Sequence, residues 1–416
     1  MTETRRDPTR EAALSLLRAV LEARSSLDAA LDALPAMPAR DRAAAHRIAA
    51  TVLRHLGSLD AVLEPHLRRA PPDAVRHVLR IGAAQLLHLG TPAHAAVATA
   101  VGLARVNRLA PFAGLVNAVL RRVAETGAAA LAELDLPRLD TPAWLWASWG
   151  EAARAIASAH QHEAPLDLTI RPGATAPPGG ETLPTGSVRF PPGTDPTTLQ
   201  GFDAGAFWVQ DAAAALPARL LGDVAGRRVL DLCAAPGGKT AQLAAAGAAV
   251  TAVDRDATRL ERLRGNLARL GLGAEMVCAD VSDYRPEARF DAILLDAPCT
   301  ATGTIRRHPE ILRLRRPRDV AAAARTQAAM LDAAASLLAP GGRLVHAVCS
   351  LQPEEGAPVL AAATRAGLAP EPVEPSELPG VETAVRPDGT LRTHPGLWPE
   401  RGGMDGFFVA RLRRPH

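Results

Sequence analysis

The sequence predicts an all-α N-terminal domain, a small mixed α/β piece, and then an α/β domain built on a mostly parallel, doubly wound sheet. Two observations carry this. Apolar residues recur at helical spacing through the first 130 residues with no strand-like run. From Arg227 onward, short apolar runs alternate with helical stretches, the rhythm of strand–helix–strand units.

In the first region Ala13, Leu17, Val20 and Leu21 share one helix face, as do Ala44, Ile48, Val52 and Leu56. Further stripes run through Val75, Val78, Leu79 and Leu86, through Val97, Val101 and Ala104, and through Leu115, Val116, Val119 and Leu120. Pro71-Pro-Asp73 opens one helix, and Gly90-Thr-Pro92 separates the next two. Residues 1–130 therefore read as a helical domain. Residues 131–225 change texture: Pro177-Pro-Gly-Gly180 and Pro191-Pro-Gly193 interrupt short apolar stretches such as 166–170. They read as a connector and a small α/β subdomain. In residues 226–416, strands are expected at 229–232, 249–253, 276–278, 292–295, 343–348 and 407–412. Helices are expected from Thr240, across 256–270 and across 320–338, with a turn at Pro340-Gly-Gly342. Ligand sites in such a sheet lie at the carboxyl ends of the strands.

Composition narrows the function classes. The 416 residues are 48% hydrophobic and 22% charged, which excludes a disordered or fibrous chain. The longest uncharged stretch, 81–104, is broken by Gln85, His88, Gly90-Thr-Pro92 and His94, so no membrane span is expected. The first residues lack an apolar signal region, and a cytoplasmic protein is expected. No two of Cys233, Cys278, Cys299 and Cys349 are spaced as C-x-x-C, and no metal is expected. The net charge of +3 argues for no partner by itself; 18 Arg against 14 acids over residues 1–140 read as a solvated surface. The chain has 46 Arg and one Lys, Lys239, a skew that fits GC-rich coding and makes the surviving lysine noteworthy.

Val229-Leu-Asp-Leu232 runs into Cys233-Ala234-Ala235-Pro236-Gly237-Gly238-Lys239-Thr240, a glycine turn entering a helix. A P-loop would need glycine where Cys233 stands, and the dinucleotide pattern G-x-G-x-x-G is absent. Asp254 ends the next strand, 17 residues beyond Gly237, where an acid accepts ribose hydroxyls; Asp280 follows the strand after, where an adenine amino group would be met. Asp296 ends the one after that. Single acids of this kind are often helix caps. Three in register with a glycine turn favour an adenosine-type cofactor without pyrophosphate, which points to S-adenosylmethionine.

Asp296-Ala-Pro-Cys299 and Val348-Cys349-Ser350 then place two cysteines at two strand ends facing that donor. Amine-methylating enzymes grip the target base with an aromatic at this turn; here the position holds Cys, and the single Tyr284 is elsewhere. A thiol beside a methyl donor suits C5 of cytosine, which is not nucleophilic by itself. Thiolate addition at C6 makes C5 enamine-like, and Asp296 is placed to hold N3. One cysteine would be the nucleophile and the other a helper in release; the residues alone do not rank them.

Three segments carry a family resemblance: Cys233-Ala-Ala-Pro-Gly-Gly-Lys-Thr240, Asp296-Ala-Pro-Cys-Thr-Ala-Thr-Gly303 and Cys349-Ser-Leu-Gln-Pro-Glu-Glu355. In this order they resemble the RNA cytosine-C5 methyltransferases of the Nol/Nop/Sun family, and within it the bacterial branch acting on 16S ribosomal RNA. That branch has a NusB-like helical N-terminal domain and a Rossmann-like methyltransferase domain. Pro92-Ala-His-Ala-Ala-Val97, Asn117-Ala-Val-Leu-Arg-Arg122, Trp208-Val-Gln-Asp211 and Asp405-Gly-Phe-Phe408 match it too. The resemblance assigns the nucleophile to Cys349 and product release to Cys299. It puts the donor against residues 233–239, Asp254, Asp280 and Asp296, and leaves Cys278 as a core residue. Val348 stands where Thr is usual, and Thr300 where Ser is common.

Residues 306–318 hold six Arg against one acid, Glu310. Their position after the Cys299 turn suggests that Arg306, Arg307, His308, Arg313, Arg315 and Arg316 contact RNA phosphates. The expected substrate is 16S ribosomal RNA, and a monomer is expected. Transfer RNA with the same chemistry is the near alternative. A NusB-like RNA-binding factor with a vestigial methyltransferase half is the alternative from another class, disfavoured by the intact glycine turn and both cysteines.

Overall fold

A computed structural model describes residues 7–416. The reading of a missing signal segment falls largely on residues 1–6 and lies outside the described residues. The chain divides into two compact units: one holds everything up to Gln161 together with Arg307–Arg315, the other His162–Arg306 and Arg316–His416.

The first unit is helical. Its helices α1 (Pro8–Leu21), α2 (Leu27–Asp32), α3 (Ala39–Arg54), α4 (Leu56–Leu63), α5 (Asp73–Leu87), α6 (Ala93–Val106) and α7 (Ala113–Ala132) follow the apolar stripes. Asp7 caps α1 by accepting from the Arg10 amide, and Ser26 caps α2 by accepting from Ala29. Leu16, Leu17, Val52, Leu53, Val75, Leu79 and Leu120 close one core. At about 2 kcal/mol for each large side chain removed from water, this burial is the main stabilising term of the unit.

The unit does not stop near residue 130. Helices α8 (Leu136–Asp140), α9 (Ala143–Ser148) and α10 (Ala153–His160) continue it through the stretch expected to be a connector. The cause is polar. Buried Asp140 accepts from the Ser58 amide at 2.8 Å and the Ser58 hydroxyl at 3.0 Å, and Arg54 donates to the His160 carbonyl at 2.9 Å. Gly57 permits the approach, since a Cβ there would lie 2.0 Å from the Leu139 carbonyl oxygen.

In the second unit β1 (Leu166–Ile170), β2 (Glu181–Thr182), β3 (Val188–Phe190) and β4 (Phe207–Val209) form an antiparallel sheet in the order β2-β3-β1-β4. After α11 (Leu216–Arg219) come β5 (Arg228–Leu232), α12 (Gly238–Ala245), β6 (Ala249–Asp254), α13 (Ala257–Leu270), β7 (Glu275–Cys278) and β8 (Phe290–Asp296). There the chain joins the other unit: Arg307–Arg315, with α14 (Ile311–Leu314), packs among the helices, where Glu310 accepts from the Leu27 amide and Arg313 donates to the Asp140 carbonyl. It returns as α15 (Pro317–Leu337), β9 (Leu338–Val348), α16 (Val359–Arg365), β10 (Ala369–Pro370), β11 (Leu391–Arg392) and β12 (Phe408–Arg413).

The large sheet runs β10-β12-β9-β8-β5-β6-β7, with β11 paired to β12. Strands β5 to β9 are parallel; β12 lies antiparallel between β9 and β10. The mostly parallel doubly wound sheet is thus as the alternation implies. The glycine turn at 340–342 differs: it is a bulge within β9, because Phe290 pairs Leu338 while Ala292 pairs Arg343, and the residues between loop out with Gly341 at φ +73°. Cys278 is exposed, not core, because β7 is the sheet's edge strand. No described helix is long and apolar enough to cross a membrane.

Candidate active site

Beyond the carboxyl end of β5 the chain makes a tight turn. Cys233 is left-handed (φ 61°), the Ala235–Pro236 peptide is cis, and Gly237 has φ 103° before α12 begins. Only glycine suits position 237: a Cβ there would also sit 2.8 Å from Leu263 Cγ. Asp254, ending β6, accepts from the Ala235 amide at 3.2 Å and the Asp256 amide at 3.1 Å, so this acid also braces the turn. Asp280, just past β7, accepts from the amide and hydroxyl of Ser282, which hold its carboxyl below the usual range.

A buried acid lies beneath the turn and a half-buried thiol opens it. Burial, opposed by the Thr240 hydroxyl donating at 2.6 Å, pushes the Asp231 carboxyl up to about 7, and its Oδ1 has no hydrogen-bond partner. Burial, then the nearby Asp296, Asp254 and Asp231, push Cys233 up to about 12, so it stays a thiol.

Adjacent parallel strands assemble the reactive groups. In the β8–β9 register Asp296 pairs Ala347, and the ladder extends through the Ala297 amide to the Ala347 carbonyl at 2.9 Å. Cys299 follows Asp296 by three residues and Cys349 follows Ala347 by two. Their sulfurs meet at 3.4 Å as free thiols. The hydrogen bond to Cys349 first, then burial, then the charges of Cys349 and Glu355, raise the Cys299 thiol well above its ordinary range. Cys299 therefore keeps its proton in the free protein.

Lys239, at the start of α12, donates to Asp296 Oδ2 at 2.7 Å and lies 5.2 Å from the centre of the Phe407 ring. Burial works against its ammonium, but Asp296, Cys349 and Asp231 outweigh it and hold Lys239 above its ordinary range. The chain's one lysine is thus a fixed cation between an acid and a thiol. Val348, which lacks the usual hydroxyl, is fully buried in the apolar core of the sheet.

Gly303 joins the two cysteine loops. Its amide donates to the Cys349 carbonyl at 3.0 Å, its carbonyl accepts from Gly406, and an added Cβ would stand 1.9 Å from the Gly406 oxygen. Gly303→Ala should lower unfolding stability by about 3 kcal/mol, read from the urea midpoint, because only backbone can give way.

The arginine run divides. Arg306 corrects its expected role: its side chain is 1% exposed and ion-paired to Asp211 at 2.8 Å and Asp405 at 3.4 Å. Asp211 Oδ1 also accepts from the Asp405 amide, so Arg306 ties the Trp208–Asp211 and Asp405–Phe408 segments together. Arg313 likewise turns inward, bonded to the Asp140 carbonyl at 3.0 Å. Arg307 and Arg316 are exposed, while Arg315 and His308 are half-buried, with His308 between Asp28 and Glu310. Arg306→Ala should cost about 3–5 kcal/mol by leaving two buried carboxylates uncompensated.

The residues missed from sequence are those behind the cysteines: Glu355, Ser350, Gln327 and Arg392. Glu355 is fully buried and accepts from the Thr300 amide (2.9 Å), the Thr300 hydroxyl, the Ser350 hydroxyl (2.7 Å) and the Gln327 amide group (2.9 Å). A hydroxyl residue directly after each cysteine was the available signal. Among the described residues no group of His, Cys, Asp and Glu is arranged to hold a metal ion.

Residues 218–413 match the model of the family described as 16S rRNA methyltransferase RsmB/F, and residues 7–125 match the NusB family. Among curated proteins, "Ribosomal RNA small subunit methyltransferase B" of Pseudomonas syringae pv. tomato is 37% identical over 97% of this chain and 96% of that protein. The protein of the same name from Thermus thermophilus is 39% identical over 93% and 92%. Among solved structures, PH0851 covers 99% of both chains at a TM-score of 0.74 and 22% identity, which speaks for the fold. A methyltransferase homologue from Pyrococcus horikoshii covers 65% of this chain and 93% of its own, with a TM-score of 0.54 and 27% identity.

Proposed function

We propose, from the premise that this chain belongs to the 16S rRNA methyltransferase RsmB/F family, that it methylates C5 of a cytosine in 16S ribosomal RNA through a Cys349–C6 adduct. The observation that carries this reading is the thiol pair at 3.4 Å, set beside the Lys239–Asp296 pair at the ends of neighbouring strands. The protein is an S-adenosylmethionine-dependent methyltransferase, and that donor supplies an electrophilic methyl group. The residues fit it: a turn of small residues 233–238, the unpartnered Asp231 Oδ1 beneath, and the acids Asp254 and Asp280 for ribose hydroxyls and the adenine amino group.

The thiolate of Cys349 adds to C6, while N3 takes a proton from the Asp296 side and C5 becomes the nucleophile. Lys239, hydrogen-bonded to Asp296, keeps positive charge beside the ring as negative charge develops. Methyl transfer leaves a proton on C5. By then Cys349 is a neutral thioether, so its hydrogen bond and its charge no longer hold the proton on Cys299. Cys299 then gives its proton to solvent and takes the C5 proton, the Cys349–C6 bond breaks as the C5–C6 double bond re-forms, and N3 returns its proton to the Asp296 side, which restores the aromatic ring and the Cys349 thiolate.

The cytosine must leave its stack to reach the thiols. Aromatic residues make up 3% of the chain, so arginine faces share in base stacking. Arg307, Arg315, Arg316 and His308 remain the proposed phosphate contacts, and the helical unit a proposed RNA-binding module. We take the protein to act as a cytoplasmic monomer.

Transfer of labelled methyl groups to protein-free 16S RNA, unmodified transfer RNA and intact small subunits tests the substrate. Label on free 16S RNA alone is expected. Label on transfer RNA alone would overturn the substrate, and no label on any would overturn the enzymatic reading.

A further inference from the structure

We infer that Glu355 is a positioning residue that locks the two cysteine loops together and keeps Cys299 the proton-holding member of the thiol pair. This rests on the cysteine-adduct reading but is carried by different atoms.

Both cysteines are followed by a hydroxyl residue, and both hydroxyls end on one carboxylate. Glu355 Oε1 receives the Thr300 and Ser350 hydroxyls; Oε2 receives the Thr300 amide at 2.9 Å and Gln327 Nε2 at 2.9 Å. The Thr300 and Ser350 oxygens also lie 3.1 Å apart, and Thr302 reaches Ser350 at 3.2 Å and the Leu351 amide at 3.0 Å. Gln327, from α15, donates as well to the Pro298 carbonyl at 3.1 Å, just before Cys299. From β11, Arg392 donates to the Ser350 carbonyl at 2.7 Å. Four elements converge on the residues flanking the thiols, and the carboxylate is their common acceptor. A buried carboxylate with four donors has its acceptor capacity met inside the protein.

The charge has a direction. Lys239 and Asp296 stand at the front of the pair, and Lys239 interacts with Cys349. Glu355 stands behind and acts on Cys299, and Arg392 interacts with Glu355 on that side. A negative group behind Cys299 and a positive group beside Cys349 make the two protonation arrangements unequal. Cys299 is then the member held in its protonated form, which leaves Cys349 as the sulfur that attacks. Neither effect involves a bond from Glu355 to either sulfur; it works through neighbours and through charge.

Two variants separate geometry from charge. In Glu355→Gln the amide oxygen still accepts from the Thr300 amide and Gln327, and the amide NH₂ faces hydroxyls that can rotate to accept. In Glu355→Ala all four donors lose their acceptor. Each would be assayed for single-turnover methyl transfer, for donor affinity, and for alkylation of Cys299 and Cys349 followed by mass spectrometry across about pH 6–10. Glu355→Ala should slow methyl transfer about 100-fold, with donor affinity changed less than about twofold. Glu355→Gln should slow it less, yet move the alkylation midpoint of Cys299 to lower pH and raise its labelling relative to Cys349 about fivefold.

Methyl transfer by Glu355→Ala within about threefold of the parent would overturn the proposal, as would an unmoved Cys299 midpoint in Glu355→Gln. If Glu355→Ala fails to fold, the Glu355→Gln alkylation profile decides alone. If the parent protein itself transfers no methyl group, the proposed function fails, and the same profile still decides the role of Glu355, since alkylation needs no RNA.

Discussion

Cys349→Ala is expected to reduce methyl transfer to background, a loss of about 10⁴-fold or more, with donor affinity intact. C5 of cytosine has no route to the methyl group without addition at C6, so nothing replaces the missing sulfur. Cys299→Ala should fail differently. Its Cys349 still adds and C5 is still methylated, but the base for the C5 proton is gone. A covalent protein–RNA complex should therefore accumulate and survive denaturing electrophoresis. The asymmetry starts from the pair: the sulfurs are 3.4 Å apart, and Cys299 holds its proton until Cys349 has added to the base. Were Cys349→Ala to accumulate the complex instead, the two roles would be exchanged.

Asp296→Asn is expected to lower the rate by about 10²–10³-fold, the scale of removing one charged group aimed at developing charge. The sign of its pH dependence can be worked out. Burial lowers the Lys239 pKa, and Asp296 is the largest of the effects that raise it. Removing the carboxylate lets burial dominate, so Lys239 loses its proton at lower pH. The alkaline limb of residual activity should move toward neutrality in Asp296→Asn. Lys239→Met, which has no ammonium to titrate, should show a comparable loss without that shift. An alkaline limb unchanged in Asp296→Asn would show that Lys239 does not carry charge for the reaction.

Much of this was legible in the sequence because the chemistry is local. The glycine turn of residues 233–238 and the strand-end acids are contiguous motifs, and a parallel sheet brings neighbouring strand ends together whatever the side chains. Cys299 and Cys349 could be paired on that ground alone. The roles proposed for them could not be ranked, because the ranking rests on surroundings from distant segments, with Lys239 interacting with Cys349 and Glu355 with Cys299. Arg306 shows the opposite failure: six arginines in thirteen residues look like a phosphate surface, but two carboxylates from distant segments take this one inside. Counting charge does not reveal partners 95 and 99 positions away. Residues 131–161 join the helical unit partly for a related reason: Asp140 and His160 are bonded to Ser58 and Arg54, partners 82 and 106 positions away.

The most direct test of the account uses the unaltered protein. RNA carrying 5-fluorocytosine, with the methyl donor present, blocks the last step, because fluorine cannot leave C5 as the proton does. Digestion of the trapped complex and peptide sequencing by mass spectrometry then identify the attached sulfur. The account predicts a methylated 5-fluorocytosine bound through C6 to Cys349. Attachment to Cys299, or methylated RNA with no covalent complex at all, would contradict it.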